Sequence, residues 1–243
     1  MLDTSQFFQV WQTAEVQKAR MIADLAHGAV GQKRADGVTP YIVHPMRVMK
    51  LAFDFTSKYE SGFMEQVLID RMIGGLLHDV LEDTKLTISH LGYYGISASQ
   101  IDIVLRLTKP DPHGKAPESY YTEIAKSQDA LVVKCADRCA NLEDALAEVL
   151  VEEPTEPRRW GRYVEDTSTH ILPLYASLPW LRKEIEDRLG NIEEALPAAL
   201  ERRAIVVARQ RSKVKNDSGD QGVSQSGDAG DQRKDYPVPR SGS

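Results

Sequence analysis

The segment GGLLHDVLEDT carries four polar side chains directly after an apolar run. His78 and Asp79 are adjacent, and Glu82 follows four and three residues later, so all three are expected near one face of a single helix. Asp83 adds a carboxylate on the next turn. A buried carboxylate is costly unless it is paired or bound to a metal, and the helix dipole disfavours carboxylates near a helix C-terminus. A nearby cation resolves both problems, so the cluster predicts a metal site.

Each of these residues, taken alone, has a simpler explanation. Glu82 and Asp83 would then be a solvated helix end, and His78 would be a core histidine with its hydrogen bonds satisfied. Four such residues in one short segment favour the metal site over these separate explanations.

A second polar cluster lies in the segment LVVKCADRCANLEDA. Asp137 follows another apolar run, Asn141 lies one helical turn later on the same face, and Lys134 and Arg138 are spaced in the same way. A carboxylate and an amide at this spacing suit contact with a metal or a phosphate. The alternative is a structural network between Asp137 and Arg138.

His44, which follows the segment TPYIV and opens a predicted helix, is the third candidate ligand. Its alternative role is that of a helix N-cap. With His78, Asp79 and Asp137 it gives two imidazoles and two carboxylates. Such a set lacks the thiolates of a structural zinc site and suits Mn²⁺ or Fe²⁺ better, with Zn²⁺ still open.

Three blocks of the sequence resemble the HD phosphohydrolase superfamily and, more narrowly, the hydrolase domain of the RelA/SpoT homologues, which degrade the alarmones ppGpp and pppGpp. The blocks are AHGAVGQKRADGVTPYIVHP, LLHDVLEDT and VKCADRCANL. They occur in the family's order at compatible spacing, and the resemblance covers residues from about 20 to about 180. It implies an all-α HD-domain helical bundle that binds one Mn²⁺ ion through His44, His78, Asp79 and Asp137.

The resemblance also implies roles for the remaining matching residues. Glu82 and Asp83 would position and deprotonate the water that attacks the 3′ phosphate of the substrate. Arg34 would stack on the purine base or line its pocket, and Asn141 would contact the ribose or the 3′ side of the nucleotide. Tyr163 would lie near the nucleotide. The products would be pyrophosphate and a nucleoside 5′-phosphate.

The chain departs from the family pattern after the base-contacting arginine. The family usually has lysine or another polar residue there, whereas this sequence has Ala35 followed by Asp36. The choice of purine and the preference for 5′ phosphates therefore stay open, and the adenine alarmone ppApp remains a candidate substrate. A highly anionic substrate also requires a locally positive site, for which Lys33, Arg34, Lys109, Lys134 and Arg138 are available.

The pattern of apolar residues from about residue 5 to residue 209 is helical almost throughout, which predicts an all-α fold. One long first helix is expected, followed by a helix with His44 at its cap and an apolar central helix through EQVLIDRMIGGLLHDVLED. We expect a hydrolase domain over residues 1–211 and a disordered tail over 212–243, because the tail is nearly devoid of large aliphatic residues. Longer family members carry a synthetase region after the hydrolase. Only two predicted helices and the tail follow the motifs here, which is too little for that region, so we expect hydrolysis only.

Composition limits the class of protein. A formal net charge of −6 over 243 residues argues against a nucleic-acid-binding protein, and no apolar run approaches the length of a membrane span. Only two cysteines, Cys135 and Cys139, are present, so a cytoplasmic setting is expected. The spacing of leucines and isoleucines from Leu181 to Leu196 predicts core packing or, alternatively, a dimer contact, so the chain is expected to be a monomer or a homodimer.

Two other functions stay open at this stage. The chain could be a general HD nucleotidase or phosphodiesterase, which release of orthophosphate in place of pyrophosphate would indicate. It could also be a catalytically silent nucleotide-binding protein, although the complete ligand set and the Glu82–Asp83 pair argue against silence.

Overall fold

The computed structural model describes residues 4–111 and 114–219 of the chain. These residues form eleven α-helices, a π-helical turn and a short 3₁₀-helix, and they contain no β-strand. The all-α prediction is confirmed. The helices, α1 to α11 in order, are Thr4–Trp11, Ala14–Ala29, Val43–Tyr59, Glu65–Leu77, Val80–Asp83, Ile88–Tyr93, Ala98–Leu107, Glu118–Ala125, Gln128–Leu150, Pro157–Asp166 and Pro179–Gly219.

Two predicted helices are each divided in the structure. The long first helix breaks between α1 and α2, where the Thr13 hydroxyl donates to the Val10 carbonyl and the Gln17 amide donates to the Trp11 carbonyl. These side-chain bonds compete with continuation of the helix. The central helix ends at Leu77, so α5 begins separately after the His78–Asp79 pair.

Helix α4 is the centre of the fold, as its apolar sequence predicts. It contacts α2, α3, α7 and α9, and its side chains from Leu68 to Leu77 are buried almost without exception. A helix segment that is buried in this way is stable only when neighbouring elements cover it. The helices around α4 therefore have fixed positions relative to its C-terminal end.

A pair of glycines lets the neighbouring helices approach α4 closely. A Cβ atom on Gly75 would lie 2.8 Å from both the backbone nitrogen and the Cα atom of Met49 on α3. A Cβ atom on Gly74 would lie 2.7 Å from Ile103 Cγ2 on α7. The first clash is with the backbone itself, so the spacing between α3 and α4 requires glycine at position 75.

Helix α11 packs its apolar face into the same core as α9. Leu181, Ile185, Leu189 and Ile192 are at most 4% exposed, so the core-packing interpretation of their spacing is confirmed. By its internal contacts the chain divides into Met1–Arg203 and Ala204–Ser243. The predicted boundary near residue 211 stays a prediction, and residues 220–243 of the predicted tail lie outside the described residues.

Within the described residues, no helix combines the length and the apolar character needed to cross a bilayer.

Candidate active site

Three parts of the chain bring the four predicted metal ligands together. His44 lies in the first turn of α3, His78 and Asp79 lie between α4 and α5, and Asp137 lies on α9. His44 Nε2 is 3.4 Å from Asp137 Oδ1 and 3.9 Å from Asp79 Oδ2, and His78 Nε2 is 3.6 and 3.0 Å from the same two atoms. Atoms about 2.1 Å from one tetrahedral ion are about 3.4 Å apart. Ligand atoms of His44, His78 and Asp79 all lie within 4.8 Å of one another, which suits a shared cation, and Asp137 Oδ1 adjoins both imidazoles.

The hydrogen bonds of His78 leave one ring nitrogen for a metal. His78 Nδ1 donates to the Gly75 carbonyl at 2.9 Å, so Nε2 is the ring nitrogen that faces the two carboxylates. Among the described side chains, none forms a hydrogen bond with this buried Nε2 atom. A backbone carbonyl that fixes the imidazole in this way is the usual outer support of a metal-binding histidine. The residues therefore fit a bound divalent ion.

His44 is not the helix cap that its position suggested. Helix α3 begins at Val43, and the cap position belongs to Ile42, which makes no capping side-chain bond. The prediction of a cap at His44 is wrong, because the helix starts at Val43, two residues before the start that a cap at His44 implies. The His44 side chain is 2% exposed and turns Nε2 toward Asp137.

The charge balance of the cluster is set by burial and by its neighbours. Burial alone raises the pKa of both Asp79 and Asp137, but adjacent cationic groups outweigh it and hold both pKa values below their ordinary range. His78 is the main such group for Asp79, and Lys134 is the main one for Asp137. Both carboxylates are therefore anionic at neutral pH, as metal ligands must be.

Asp137 is held by two side chains from its own helix. Lys134 Nζ lies 3.1 Å from Asp137 Oδ2, and the Asn141 amide donates to Asp137 Oδ1 at 2.6 Å. Arg138 instead pairs with Asp166 at 3.2 Å and donates to the Thr167 hydroxyl. The structure thus brings Lys134 and Asn141 to the carboxylate, and the alternative Asp137–Arg138 network is not formed.

The Arg138 guanidinium is clamped between the end of α10 and the π-helical turn Thr167–Ile171. It stacks 4.2 Å from the centre of the Tyr163 ring. Thr167, which accepts from Arg138, is itself fully buried and donates to the Tyr163 carbonyl. Burial raises the pKa of the Tyr163 hydroxyl to about 12, so Tyr163 is a neutral hydrogen-bonding group.

Tyr41 is a residue of the site that the sequence reasoning missed. Its hydroxyl donates to Asp79 Oδ2 at 2.5 Å, and its ring lies between those of His27 and His44. Burial raises the pKa of the hydroxyl well above its ordinary value, so it stays a donor. Its place in the block PYIVHP was the available signal.

The two predicted catalytic carboxylates have different surroundings. Glu82 Oε1 accepts from the Lys109 backbone at 2.5 Å, and Glu82 Oε2 lies 3.4 Å from Lys109 Nζ. Burial raises the pKa of Glu82. Asp83 is exposed, and its Oδ2 atom accepts from the Gln32 amide at 2.8 Å. The charge of Lys109 predicted a place near the site, whereas the sequence analysis did not identify Gln32.

A cavity of about 450 Å³, the reaction cavity, is lined by every predicted site residue except Lys33 and Arg34. Its other walls come mainly from aromatic and cationic side chains. The lining includes Tyr41, His44, His78, Asp79, Glu82, Asp83, Lys109, Lys134, Asp137, Arg138, Asn141 and Tyr163.

Arg34 lies in a neighbouring cavity of about 1070 Å³, the side cavity. The two cavities share Tyr41, His44 and Asn141 as lining residues. The Arg34 guanidinium forms an ion pair with Asp144 and lies 5.7 Å from the centre of the Tyr41 ring. The predicted purine contact is therefore next to the reaction cavity, and its charge is already paired.

Comparison with known proteins adds independent information. No protein-family model matches the chain. It is 33% identical over 138 residues to the guanosine-3′,5′-bis(diphosphate) 3′-pyrophosphohydrolase of Spiroplasma citri, a match over 53% of this chain and 16% of that protein. It is 30% identical over 151 residues to a probable enzyme of the same name in Synechocystis, covering 58% of this chain and 18% of that protein.

The chain resembles a RelA/SpoT hydrolase domain. This prediction from the three sequence blocks is thus confirmed. A match of 25% identity to a probable GTP pyrophosphokinase of Mycobacterium leprae covers 75% of this chain and 22% of that protein. The chain therefore spans about a fifth of the length of these relatives.

One solved structure, described as a metazoan ortholog of SpoT that hydrolyzes ppGpp, aligns with 79% of this chain and 96% of its own. The identity is 21% and the TM-score 0.49, a likeness too loose to support an inference.

Proposed function

We propose that this protein hydrolyses the 3′-pyrophosphate group of a purine alarmone. The substrate is ppGpp or pppGpp, with the adenine alarmone ppApp as the alternative. One observation carries the proposal. A single cavity holds two imidazoles, two anionic carboxylates, the Glu82–Asp83 pair and several cationic side chains. The names of the Spiroplasma and Synechocystis relatives support the same reaction.

We propose that His44, His78, Asp79 and Asp137 hold one divalent ion, with Mn²⁺ as the first choice. Neutral imidazoles and carboxylates without a thiolate suit such an ion. When bound, the ion supplies Lewis-acid chemistry, which lowers the pKa of water and polarises a phosphoryl oxygen. Tyr41, Gly75, Lys134 and Asn141 orient these ligands through the hydrogen bonds and the ion pair described above.

In the proposed reaction Glu82 and Asp83 hold the attacking water and accept its proton. The water oxygen forms a bond to the phosphorus attached to the ribose 3′ oxygen. The bond between that phosphorus and the ribose oxygen breaks, the ribose oxygen takes up a proton, and pyrophosphate leaves. Carboxylates placed for proton transfer contribute about 10² to 10⁴ to the rate.

Cationic side chains would neutralise the leaving pyrophosphate. Lys109, Lys134 and Arg138 all line the reaction cavity, and burial of Lys134 beside Asp137 does not remove its charge because neighbouring groups keep its pKa raised. Asn141 and Tyr163 offer neutral hydrogen-bonding groups at the same wall. Arg34 would bind the purine from the side cavity. Substrate affinity should therefore fall as the salt concentration rises.

The test is product analysis with and without metal. Metal-free protein is incubated separately with ppGpp and ppApp, alone and with added Mn²⁺, and the products are identified. We expect pyrophosphate only when Mn²⁺ is present. Release of orthophosphate would favour a general nucleotidase, and tight nucleotide binding without turnover would favour a silent binding protein.

We also keep as proposals a hydrolase domain over residues 1–211, a monomeric or homodimeric state, a cytoplasmic location and the absence of a nucleic-acid partner. The cysteines Cys135 and Cys139 are both buried free thiols, which is compatible with a reducing compartment.

A further inference from the structure

Gln32 forms a bridge between a buried histidine and one of the proposed catalytic carboxylates. Gln32 Oε1 lies 2.6 Å from His27 Nδ1, and Gln32 Nε2 donates to Asp83 Oδ2 at 2.8 Å. His27 and Asp83 are distant in sequence, and neither belongs to the proposed metal ligands. The bridge thus connects the end of α2 with the end of α5.

The backbone fixes Gln32 at the end of α2. Gly31 adopts a φ of 69°, a left-handed conformation that favours glycine, and this turns the chain back over the helix end. The Gln32 backbone N–H donates to the His27 carbonyl at 3.0 Å. The side chain of Gln32 therefore starts from a defined position.

The chemistry of the two partners fixes the direction of the Gln32 amide. An ionised Asp83 only accepts hydrogen bonds, so the amide nitrogen must face it. The amide oxygen then faces His27, whose Nδ1 must carry the proton. His27 is 1% exposed, and burial lowers its pKa, so the ring is neutral with a single proton. If the amide were flipped, its oxygen would face the carboxylate oxygen of Asp83, and two hydrogen-bond acceptors would meet.

Asp83 needs such support more than Glu82 does. Contacts with Lys109 engage both oxygens of Glu82. Asp83 is exposed. Among the described residues, Gln32 is the side chain that donates a hydrogen bond to its carboxylate. An exposed aspartate without a partner rotates freely, which would spread its oxygens over several orientations.

We propose that Gln32 is a positioning residue for the hydrolysis, holding one oxygen of Asp83 so that the other is available to water, and that His27 sets the direction of the Gln32 amide. This inference rests on the proposed function. The residues act through Asp83 and touch neither the substrate nor the metal in this scheme.

The first test compares Gln32→Glu and Gln32→Ala with the unaltered protein. Gln32→Glu keeps the size and the acceptor for His27 but removes the donor for Asp83. We expect kcat to fall about 10- to 100-fold in both variants, as for other supporting residues of active sites. KM, the Mn²⁺ bound per chain and the melting temperature should stay unchanged.

A matched control is Gln66→Glu. Gln66 donates to Asp70 Oδ1 at 2.9 Å on the exposed surface of α4, so the same substitution breaks the same kind of glutamine–aspartate bond away from the cavity. This variant should keep the kcat of the unaltered protein.

The second test concerns His27. His27→Asn keeps a side-chain N–H close to the place of Nδ1 and should retain most of the activity, whereas His27→Phe should lose about as much kcat as Gln32→Ala. Adding His27→Phe to Gln32→Ala should cause no further loss, because the two residues act as one unit.

The outcomes separate the two proposals. If the unaltered protein releases pyrophosphate and Gln32→Glu keeps its kcat, or if the losses of His27→Phe and Gln32→Ala simply multiply, the positioning role is wrong. If the unaltered protein hydrolyses no alarmone with Mn²⁺ present, the proposed function itself is wrong and the positioning role with it.

Discussion

The two neighbouring cavities differ in how their charges are balanced. In the reaction cavity, two imidazole nitrogens face two carboxylates, and the buried Nε2 atom of His78 has no hydrogen-bond partner among the described side chains. In the side cavity, Arg34 and Arg47 both pair with Asp144, and Arg47 also lies 3.0 Å from Glu143. The reaction cavity leaves a buried imidazole nitrogen without a hydrogen bond, whereas the arginines of the side cavity are already paired with carboxylates.

This difference separates the residues proposed to carry out the reaction from those proposed to select the substrate. Side chains proposed to share one bound metal ion act together, so a substitution of one of them should abolish hydrolysis. Groups already paired with each other bind a ligand only by exchanging partners, so substitutions there should change affinity and preference by smaller factors.

The largest effect is expected from Asp79→Asn in the reaction cavity. The amide cannot supply the negative charge that Asp79 brings beside His78, so the variant should lose bound Mn²⁺ and at least about 100-fold in kcat/KM. Metal content per chain and pyrophosphate release measure the two losses. Asp102→Asn, which breaks an exposed pair with Arg106, serves as the control. A metal-loaded, active Asp79→Asn protein would contradict the ligand set.

Gly75→Ala tests the close contact of helices behind the reaction cavity. The added methyl group meets the Met49 backbone at 2.8 Å and must push α3 away from α4. We expect a loss of about 1–3 kcal/mol in the free energy of unfolding, together with weaker Mn²⁺ binding, because His44 moves with α3.

Urea unfolding and metal titration measure these effects of Gly75→Ala. Gly190→Ala is the control, since nothing lies within 4 Å of a Cβ atom at that helical position, and alanine should stabilise the helix there by up to about 1 kcal/mol. Equal stability of both variants would mean that the packing of α3 against α4 does not require glycine at position 75.

Arg34→Ala tests the side cavity. Loss of a guanidinium that stacks on a purine should raise KM about tenfold, corresponding to about 1.4 kcal/mol, and leave kcat and bound metal unchanged. Steady-state kinetics with ppGpp and ppApp measure the effect. Arg182→Ala, which removes an exposed arginine paired with Glu186, is the control. A large fall in kcat would place Arg34 in the chemistry and erase the contrast between the cavities.

The smallest effect concerns Glu184, at the far end of the ion pairs behind the side cavity. Arg47 and Arg188 both contact Glu143, and Arg188 also contacts Glu184. Burial raises the pKa of Glu184, but hydrogen bonds from Lys58, Tyr59 and Arg188 outweigh it and lower the pKa to about 2.

Because this pKa is lower in the folded chain than in the unfolded one, the charge of Glu184 stabilises the fold above about pH 4.5, and the contribution disappears as the pH falls toward 2. Glu184→Gln should therefore cost about 1 kcal/mol at pH 7 and nothing near pH 2. Urea unfolding at several pH values tests this. Glu186→Gln should show little effect at any pH, and a cost for Glu184→Gln that persists at low pH would contradict the assignment.

Residues with unusual chemistry were the most predictable part of the molecule. His78, Asp79 and Asp137 follow apolar runs, so their burial and their need for a partner were visible in the sequence. The all-α fold followed from helical periodicity in the same way. The breaks at Thr13 and after Leu77 were missed, because they depend on local side-chain bonds and on packing at the site, which apolar spacing does not encode.

The partners of the site residues were much less predictable. The sequence left an Asp137–Arg138 network open as an alternative, whereas three-dimensional packing placed Lys134 against Asp137 and Asp166 against Arg138. The ion pair of Arg34 with Asp144 joins positions 110 residues apart, so no local pattern could reveal it. Gln32 and Tyr41 lay within a recognised block, yet their roles depend on which oxygen atoms they reach.

Gly75 contributes to the geometry of the site in two ways. The absence of a side chain lets α3 touch α4, and its carbonyl holds the imidazole of His78. The distance between the two histidines is thus set by main-chain contact before any ion arrives. Ion binding then requires little rearrangement, so exchanging one divalent metal for another should alter reactivity while leaving the scaffold geometry the same.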